Sequence, residues 1–202
     1  MCTIKLLLFT LISLTEGSIN PKSNEEFSRS SVQSPGLPYL NSSNAECPGH
    51  CESGWTYFSE TDACYKTFHW ETFYSAESRC RNFGAHLASI HNADENHFVA
   101  DLTDTAIEWH YENTDAHVHG STWIGLRWAD YSNSEDWLWT DGTKAEFLAW
   151  APNEPSGGNE RCVELLSDRM VEPERALWYH KWNDMPCSDK IRSYVCKKPA
   201  LH

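Results

Sequence analysis

Trp150-Ala151-Pro152-Asn153-Glu154-Pro155-Ser156-Gly157-Gly158-Asn159-Glu160-Arg161-Cys162, answered further on by Trp182-Asn183-Asp184-Met185-Pro186-Cys187, is the stretch on which the reading of this chain turns. Two cysteines, Cys162 and Cys187, bracket its second half. Glu154, Glu160 and Asp184 supply carboxylates, Asn183 an amide and Ser156 a hydroxyl. All are oxygen donors. A hard cation such as Ca²⁺ takes several oxygens, some of them anionic, and tolerates irregular geometry. The proline and glycine residues place these donors on loops. The stretch reads as a calcium site that also meets a ligand.

The composition fits that reading and narrows the partners. The chain has 202 residues, 40% hydrophobic and 22% charged, which suits a globular protein. Ten tryptophans point to an aromatic core or surface. A formal net charge of -13 argues against nucleic acid and anionic membrane as partners, because phosphate demands a cationic face. Met1 to Gly17 reads as a secretory signal, with Lys5 ahead of the apolar run Leu6 to Leu14 and cleavage expected near Gly17. That run is too short to span a bilayer, and no later one is longer. The expected location is therefore secreted and extracellular, with no membrane insertion, where disulfides persist.

Along the chain, residues 18–46 form a flexible Ser/Asn/Pro-rich segment, and Asn41-Ser42-Ser43 is an N-glycosylation acceptor. Cys51 to Phe58 reads as a turn running into a strand, and Ala63 to Phe68 as a second short strand. Trp70 to Phe83 reads as a helix with Phe73, Ala76, Cys80 and Phe83 on its apolar face, ended by Gly84. Ala85 to Ile90 reads as a strand. Asn92 caps a second helix, with Glu95 as capping-box partner and Phe98, Leu102 and Ile107 as its buried stripe. A polar loop follows from Trp109 to Ser121. Strands are expected at Trp123 to Leu126, Trp137 to Trp139, Cys162 to Leu166 and Ser193 to Cys196, with a turn at Thr140 to Thr143. Helices and strands in separate runs give an α+β fold rather than alternating βαβ units.

Other chemistries are less well supported. His110, His117 and His119 suggest zinc only weakly, since two loop histidines one residue apart do not make a closed tetrahedral site. His86, His91 and His97 read as surface or hydrogen-bonded residues. The chain is read as no enzyme: carboxylates gathered on a cation are held charged and make poor general acids, and no Gly-x-Ser-x-Gly elbow, His-Glu-x-x-His helix or phosphate loop occurs. The tryptophans at 55, 123, 137, 139, 150 and 182 read as core. Trp178, Tyr179 and His180 stand close in sequence to Trp182-Asn183-Asp184, and an aromatic there would either stack on a ligand or pack in the core.

Taken in order, Cys51 with Gly54-Trp55, the Cys80 helix, Trp123-Ile124-Gly125-Leu126, Trp137-Leu138-Trp139, Glu154-Pro155-Ser156, Glu160 before Cys162, Trp182-Asn183-Asp184 and Cys196 resemble the C-type lectin-like domain. The resemblance covers about Cys47 to Lys198, and places a long-form domain at 47–199. It implies two helices with small antiparallel sheets and long calcium-binding loops. It implies one principal Ca²⁺ held by Glu154, Ser156, Glu160, Asn183 and Asp184, with vicinal sugar hydroxyls completing its shell and hydrogen-bonding to the same side chains. A cis bond before Pro155 is implied as well. Glu-Pro-Asn in such domains goes with mannose-type sugars and Gln-Pro-Asp with galactose-type. Glu154 keeps the mannose pattern and Ser156 departs from it, its hydroxyl being shorter than an amide and a weaker ligand. Gly157 and Arg161 stand where a second calcium would need oxygens, with Asp130, Glu135 and Asp136 as its other candidates, so that auxiliary site is expected to be absent or damaged. Domains of this kind work in microbe recognition or adhesion, which implies glycans of microbial or host surfaces as partners. The alternative on the same scaffold is a module that binds a protein partner without calcium or sugar.

Cysteine count leaves one thiol over. With Cys2 in the signal, seven remain, and sequence alone does not fix their connectivity. The expected pairs are Cys51–Cys64 across the first hairpin, Cys80–Cys196 from the first helix to the last strand, and Cys162–Cys187 across the oxygen-rich loops. Closing the long second loop is worth about 4–5 kcal/mol in the chain-entropy model. Cys47 then remains for a disulfide to a second chain, although Cys47 and Cys51 could exchange roles.

Overall fold

The computed structural model describes residues 48–110, 119–129 and 137–202. The signal segment, the tail with Asn41, Cys2 and Cys47, His117, and the auxiliary-site candidates Asp130, Glu135 and Asp136 lie outside the described residues.

A hairpin opens the fold. Strand β1, Thr56–Phe58, pairs antiparallel with β2, Ala63–Glu71, with Tyr57 opposite Cys64. The Cys51–Cys64 disulfide fastens its base. Helix α1, Phe73–Arg81, follows. Phe73, Ala76 and Cys80 form its buried face, as their spacing of three and four predicts. Burying a side chain such as Phe73 stabilises by about 1.5–3 kcal/mol. The helix starts three residues later than expected because β2 runs on to Glu71, which pairs with Ile191. Ladder pairing with a distant strand outranks the local pattern there. Phe83 falls outside the helix, half exposed, and stacks on Phe68 at 5.3 Å. Gly84 turns the chain with φ +65°. Of the strand expected over Ala85 to Ile90, only β3, His86–Leu87, pairs.

Helix α2, Ala93–Asp101, is capped as expected: Asn92 Oδ1 accepts from Glu95 N at 2.8 Å. Glu95 does not close the capping box on Asn92. Its Oε2 accepts from His91 N at 2.8 Å instead. The expected stripe is only partly right. Phe98 and Leu102 pack against the core while half exposed, Ile107 lies beyond the helix and is exposed, and the buried positions are Glu95, Asn96, Val99 and Ala100. Two polar residues on the buried face defeat a reading based on apolar spacing.

The remaining strands are β4 (Glu108–Trp109), β5 (Ser121–Trp128), β6 (Trp137–Trp139), β7 (Cys162–Leu166), β8 (Arg169–Met170), β9 (Trp182–Met185) and β10 (Ile191–Pro199). The main sheet runs β1-β2-β10-β5-β7-β9, with β3 on β10 and β6 on β5. Its pairs are antiparallel except β5 with β10, where Tyr194 lies beside Trp123. Cys80–Cys196 ties α1 to β10 across 116 residues of sequence. Three further elements are not expected from the sequence: β4 and β8 form a small parallel sheet, and a 3₁₀ helix spans Pro173–Trp178.

The core lies on β5, β7 and β9. Ile124, Leu126, Val163, Leu165 and Trp182 are sealed within it. Gly125 is glycine because a Cβ there would meet the Leu87 carbonyl oxygen at 2.6 Å. Trp123, Trp139 and Trp182 are core as expected. Trp55, Trp137 and Trp150 are only half buried, which corrects their reading as core. Among the described residues no helix is long and apolar enough to cross a membrane.

Candidate functional site

The loop from Trp150 to Arg161 is pinned along β9. Ala151 N donates to Trp182 O at 2.8 Å, and Arg161 N to Met185 O at 3.1 Å. The Cys162–Cys187 disulfide fastens the start of β7 to the chain just beyond β9. Because β7 and β9 pair with Val163 opposite Asp184 and Glu164 opposite Asn183, the Trp-Asn-Asp strand has a fixed register beneath the loop. The Glu154–Pro155 bond is cis.

Four of the five expected donors come together. Both oxygens of the buried Asp184 carboxylate accept from the loop: Oδ1 from Ser156 N at 2.8 Å and Oδ2 from Gly157 N at 2.7 Å. Ser156 Oγ donates to Glu160 Oε2 at 2.5 Å. Glu154 faces the same cluster, and its Oε2 is buried with no hydrogen-bond partner. Burial, then the Asp184 carboxylate and more weakly Glu160, hold the Glu154 carboxyl above its ordinary value. Asn183, the fifth, is anchored inward, its Nδ2 donating to Glu164 Oε1 at 3.0 Å. That bond uses a donor and leaves Oδ1 as the amide's acceptor.

Glu164 is the residue that sequence reasoning passed over. It is buried in β7, where Ser121 Oγ also donates to it at 2.5 Å. A carboxylate inside the otherwise apolar run Cys162-Val163-Glu164-Leu165-Leu166 was the available signal. Gly157 offers the site its N–H, and Arg161 is exposed on the loop.

The aromatics beyond the motif are structural. Trp178 is buried with Ala151, Leu166 and Met170, which decides for core packing over sugar stacking. Tyr179 donates to Asp104 Oδ2 at 3.0 Å. His180 holds Asn96 Nδ2 through its carbonyl at 2.9 Å, and Asn96 Oδ1 accepts from Trp182 Nε1 at 2.8 Å. Burial pushes the His180 imidazole below its ordinary value. His119 stacks on Trp109 at 5.3 Å. His86 pairs with Glu77 at 2.7 Å, as a hydrogen-bonded surface histidine should.

Chemically, the cluster is rich in oxygen and short of positive charge. Among the described residues no three His, Cys, Asp or Glu side chains stand in a ligating arrangement, because the carboxylates face backbone N–H groups and Ser156. Even so, Glu154 Oε2 lacks a donor, and burial, then the Asp184 and Glu160 carboxylates, raise the Glu154 pKa against one opposing group, the Ser156 N–H. A hard divalent cation suits that donor set, and a soft one does not. Holding it requires the carboxylates to exchange their present hydrogen bonds for metal bonds.

Comparison with known proteins follows the same lines. The model of the C-type lectin domain matches residues 69–198. The C-type lectin galactose-binding isoform of Pseudechis australis is 34% identical over 165 residues, 79% of this chain and 88% of its own length. The C-type lectin mannose-binding isoform of Notechis scutatus scutatus is 35% identical over 164 residues, 78% of this chain and 87% of its own. A solved structure of a calcium-independent type II antifreeze protein superimposes with a TM-score of 0.57 at 27% identity, covering 76% of this chain and 97% of that one.

Proposed function

Since this chain belongs to the C-type lectin domain family, we propose that it is a secreted, calcium-dependent carbohydrate-binding lectin with one principal calcium site. The observation that carries the reading is Glu154: a carboxylate held among carboxylates, with a buried oxygen that has no donor. Glu154, Ser156, Glu160 and Asp184, with Asn183 through Oδ1, would hold the ion. Calcium supplies coordination of vicinal sugar hydroxyls and makes them better hydrogen-bond donors. Glu154 and Glu160 accept from those hydroxyls, while the Asn183 amide is kept in place by Glu164. Glu154 favours mannose-type over galactose-type sugars. The two relatives named for different sugars are equally similar to this chain, so overall identity does not choose between them.

A second reading is supported by a specific observation. Asp184 and Glu160 already have donors from the loop, so the loop can hold its form through its own hydrogen bonds. The antifreeze neighbour is named calcium-independent. On this reading the chain binds a protein partner without calcium or sugar.

Calorimetric Ca²⁺ titration of the intact, oxidised chain separates the two. The lectin reading expects one saturable site with a dissociation constant of roughly 10⁻⁴ to 10⁻³ M, lost in Asp184→Asn. With the tighter value, 10 mM Ca²⁺ stabilises the fold by about 2.7 kcal/mol. EDTA should then abolish glycan binding. No heat and no thermal shift at that concentration would leave the protein-binding reading.

A further inference from the structure

A cavity of about 320 Å³ opens beside the carboxylate loop. Its aromatic walls are Trp128 and Trp137, and the loop residues Pro155, Gly157, Gly158, Glu160 and Arg161 close the other side. It shares residues with the calcium cluster: Gly157 N donates to Asp184, and Glu160 accepts from Ser156. A ligand held at the carboxylates therefore has this cavity as its next neighbour.

The tryptophan pair is rigidly set. Trp128 ends β5 and Trp137 begins β6, directly opposite each other in the ladder. Their rings meet at 5.3 Å and 81°, which makes a corner. Trp150 backs Trp137 at 4.8 Å and itself packs on Trp182 at 6.1 Å. Both ring systems are half buried, so part of each remains open to a ligand. Fixed indole faces suit the C–H faces of a pyranose ring, which bury apolar area at little entropic cost. Gly157 and Gly158 have φ +79° and +73°, and a Cβ added at either meets nothing within 4 Å, so these glycines are there for the turn and leave the wall low. The volume lies at the bottom of the range of about 300–1,000 Å³ typical of small-ligand pockets, which suits one sugar ring rather than a chain.

Resting on the lectin reading, we propose that this cavity is a second saccharide subsite, which takes the pyranose ring adjoining the one held at the carboxylate loops and stacks it on Trp128 and Trp137. The ligand is then at least a disaccharide.

The test uses the intact, oxidised chain in Ca²⁺, with methyl mannoside against mannobiose and methyl galactoside against lactose. For the sugar class that binds, the disaccharide should bind about tenfold tighter than the monosaccharide. Trp128→Ala should remove that advantage while leaving monosaccharide affinity within about twofold. Trp128→Phe should keep most of it, and Trp137→Ala, checked for folding by thermal melt, should behave as Trp128→Ala. Equal affinity for one ring and two, or parallel weakening of both in Trp128→Ala, overturns the subsite while the lectin reading stands. Absence of any calcium-dependent sugar binding removes the lectin reading, and the subsite with it.

Discussion

Glu95 and Glu154 are both carboxylates taken at least partly out of water, and their surroundings are opposite. Glu95, on α2, is fully buried and fully served. Its Oε1 accepts from Tyr65 Oη at 2.6 Å and pairs with Lys197 Nζ at 2.5 Å, while Oε2 accepts from His91 N. Glu154, on the loop, has carboxylates for neighbours and an oxygen with no donor. Where a buried charge serves the fold, the sequence surrounds it with donors and a countercharge. Where the compensation is missing, the protein leaves room for something from solution to supply it.

Removal of each carboxylate should therefore act with opposite sign. Glu95→Ala removes the countercharge of Lys197, which keeps only neutral Ser89 as hydrogen-bond partner, and takes an acceptor from Tyr65 and His91 N; it should cost about 3–5 kcal/mol in urea unfolding, with or without calcium. Such a loss appearing only in calcium would break the contrast. Glu154→Gln should leave the metal-free fold as stable as before or more so, and should erase the calcium-induced gain of about 2.7 kcal/mol at 10 mM. A thermal melt of both proteins with and without Ca²⁺ reads this directly.

Acid sharpens the comparison further. The Glu154 pKa is raised in the fold, so its contribution is fully present below the ordinary value of 4.5 and is lost as pH rises through the raised value. Metal-free protein should lose stability across that window, and Glu154→Gln should flatten it. The His180 pKa is lowered, chiefly by burial, with Asp101 opposing and His97 assisting. Its contribution is present above 6.5 and is lost as pH falls from there through the lowered value. His180→Asn, whose side chain tolerates the φ of +62° at this position, should flatten that second window. Chemical denaturation between pH 4 and 8 separates the two windows, and a single shared slope would contradict both assignments. The smallest effect is expected from Ser156→Asn, which restores a longer oxygen ligand and should tighten calcium several-fold with little change in the metal-free melt.

What could be read beforehand followed what is local or ordered in the chain. The Asn92 cap, the buried Trp123 strand and the gathering of Glu154, Ser156, Glu160 and Asp184 were legible, because motif order and spacing express them. The three disulfides are the expected pairs, although spacing alone left their connectivity open. Glu164 and the true role of Glu95 were not, since a buried carboxylate is explained by partners far away in sequence: Ser121 for one, Lys197 for the other. The late start of α1 and the strands β4 and β8 were missed for a related reason. Each depends on a ladder partner that no local periodicity reveals.

The row of indoles from Trp128 through Trp137 and Trp150 to Trp182 reaches from the cavity to the strand that carries Asn183 and Asp184. Neighbouring rings in that row lie 4.8 to 6.1 Å apart, close enough for their electronic transitions to mix. The domain thus contains its own optical gauge. Occupation at either end should alter the near-ultraviolet circular dichroism of the whole row, and binding can be followed without a label.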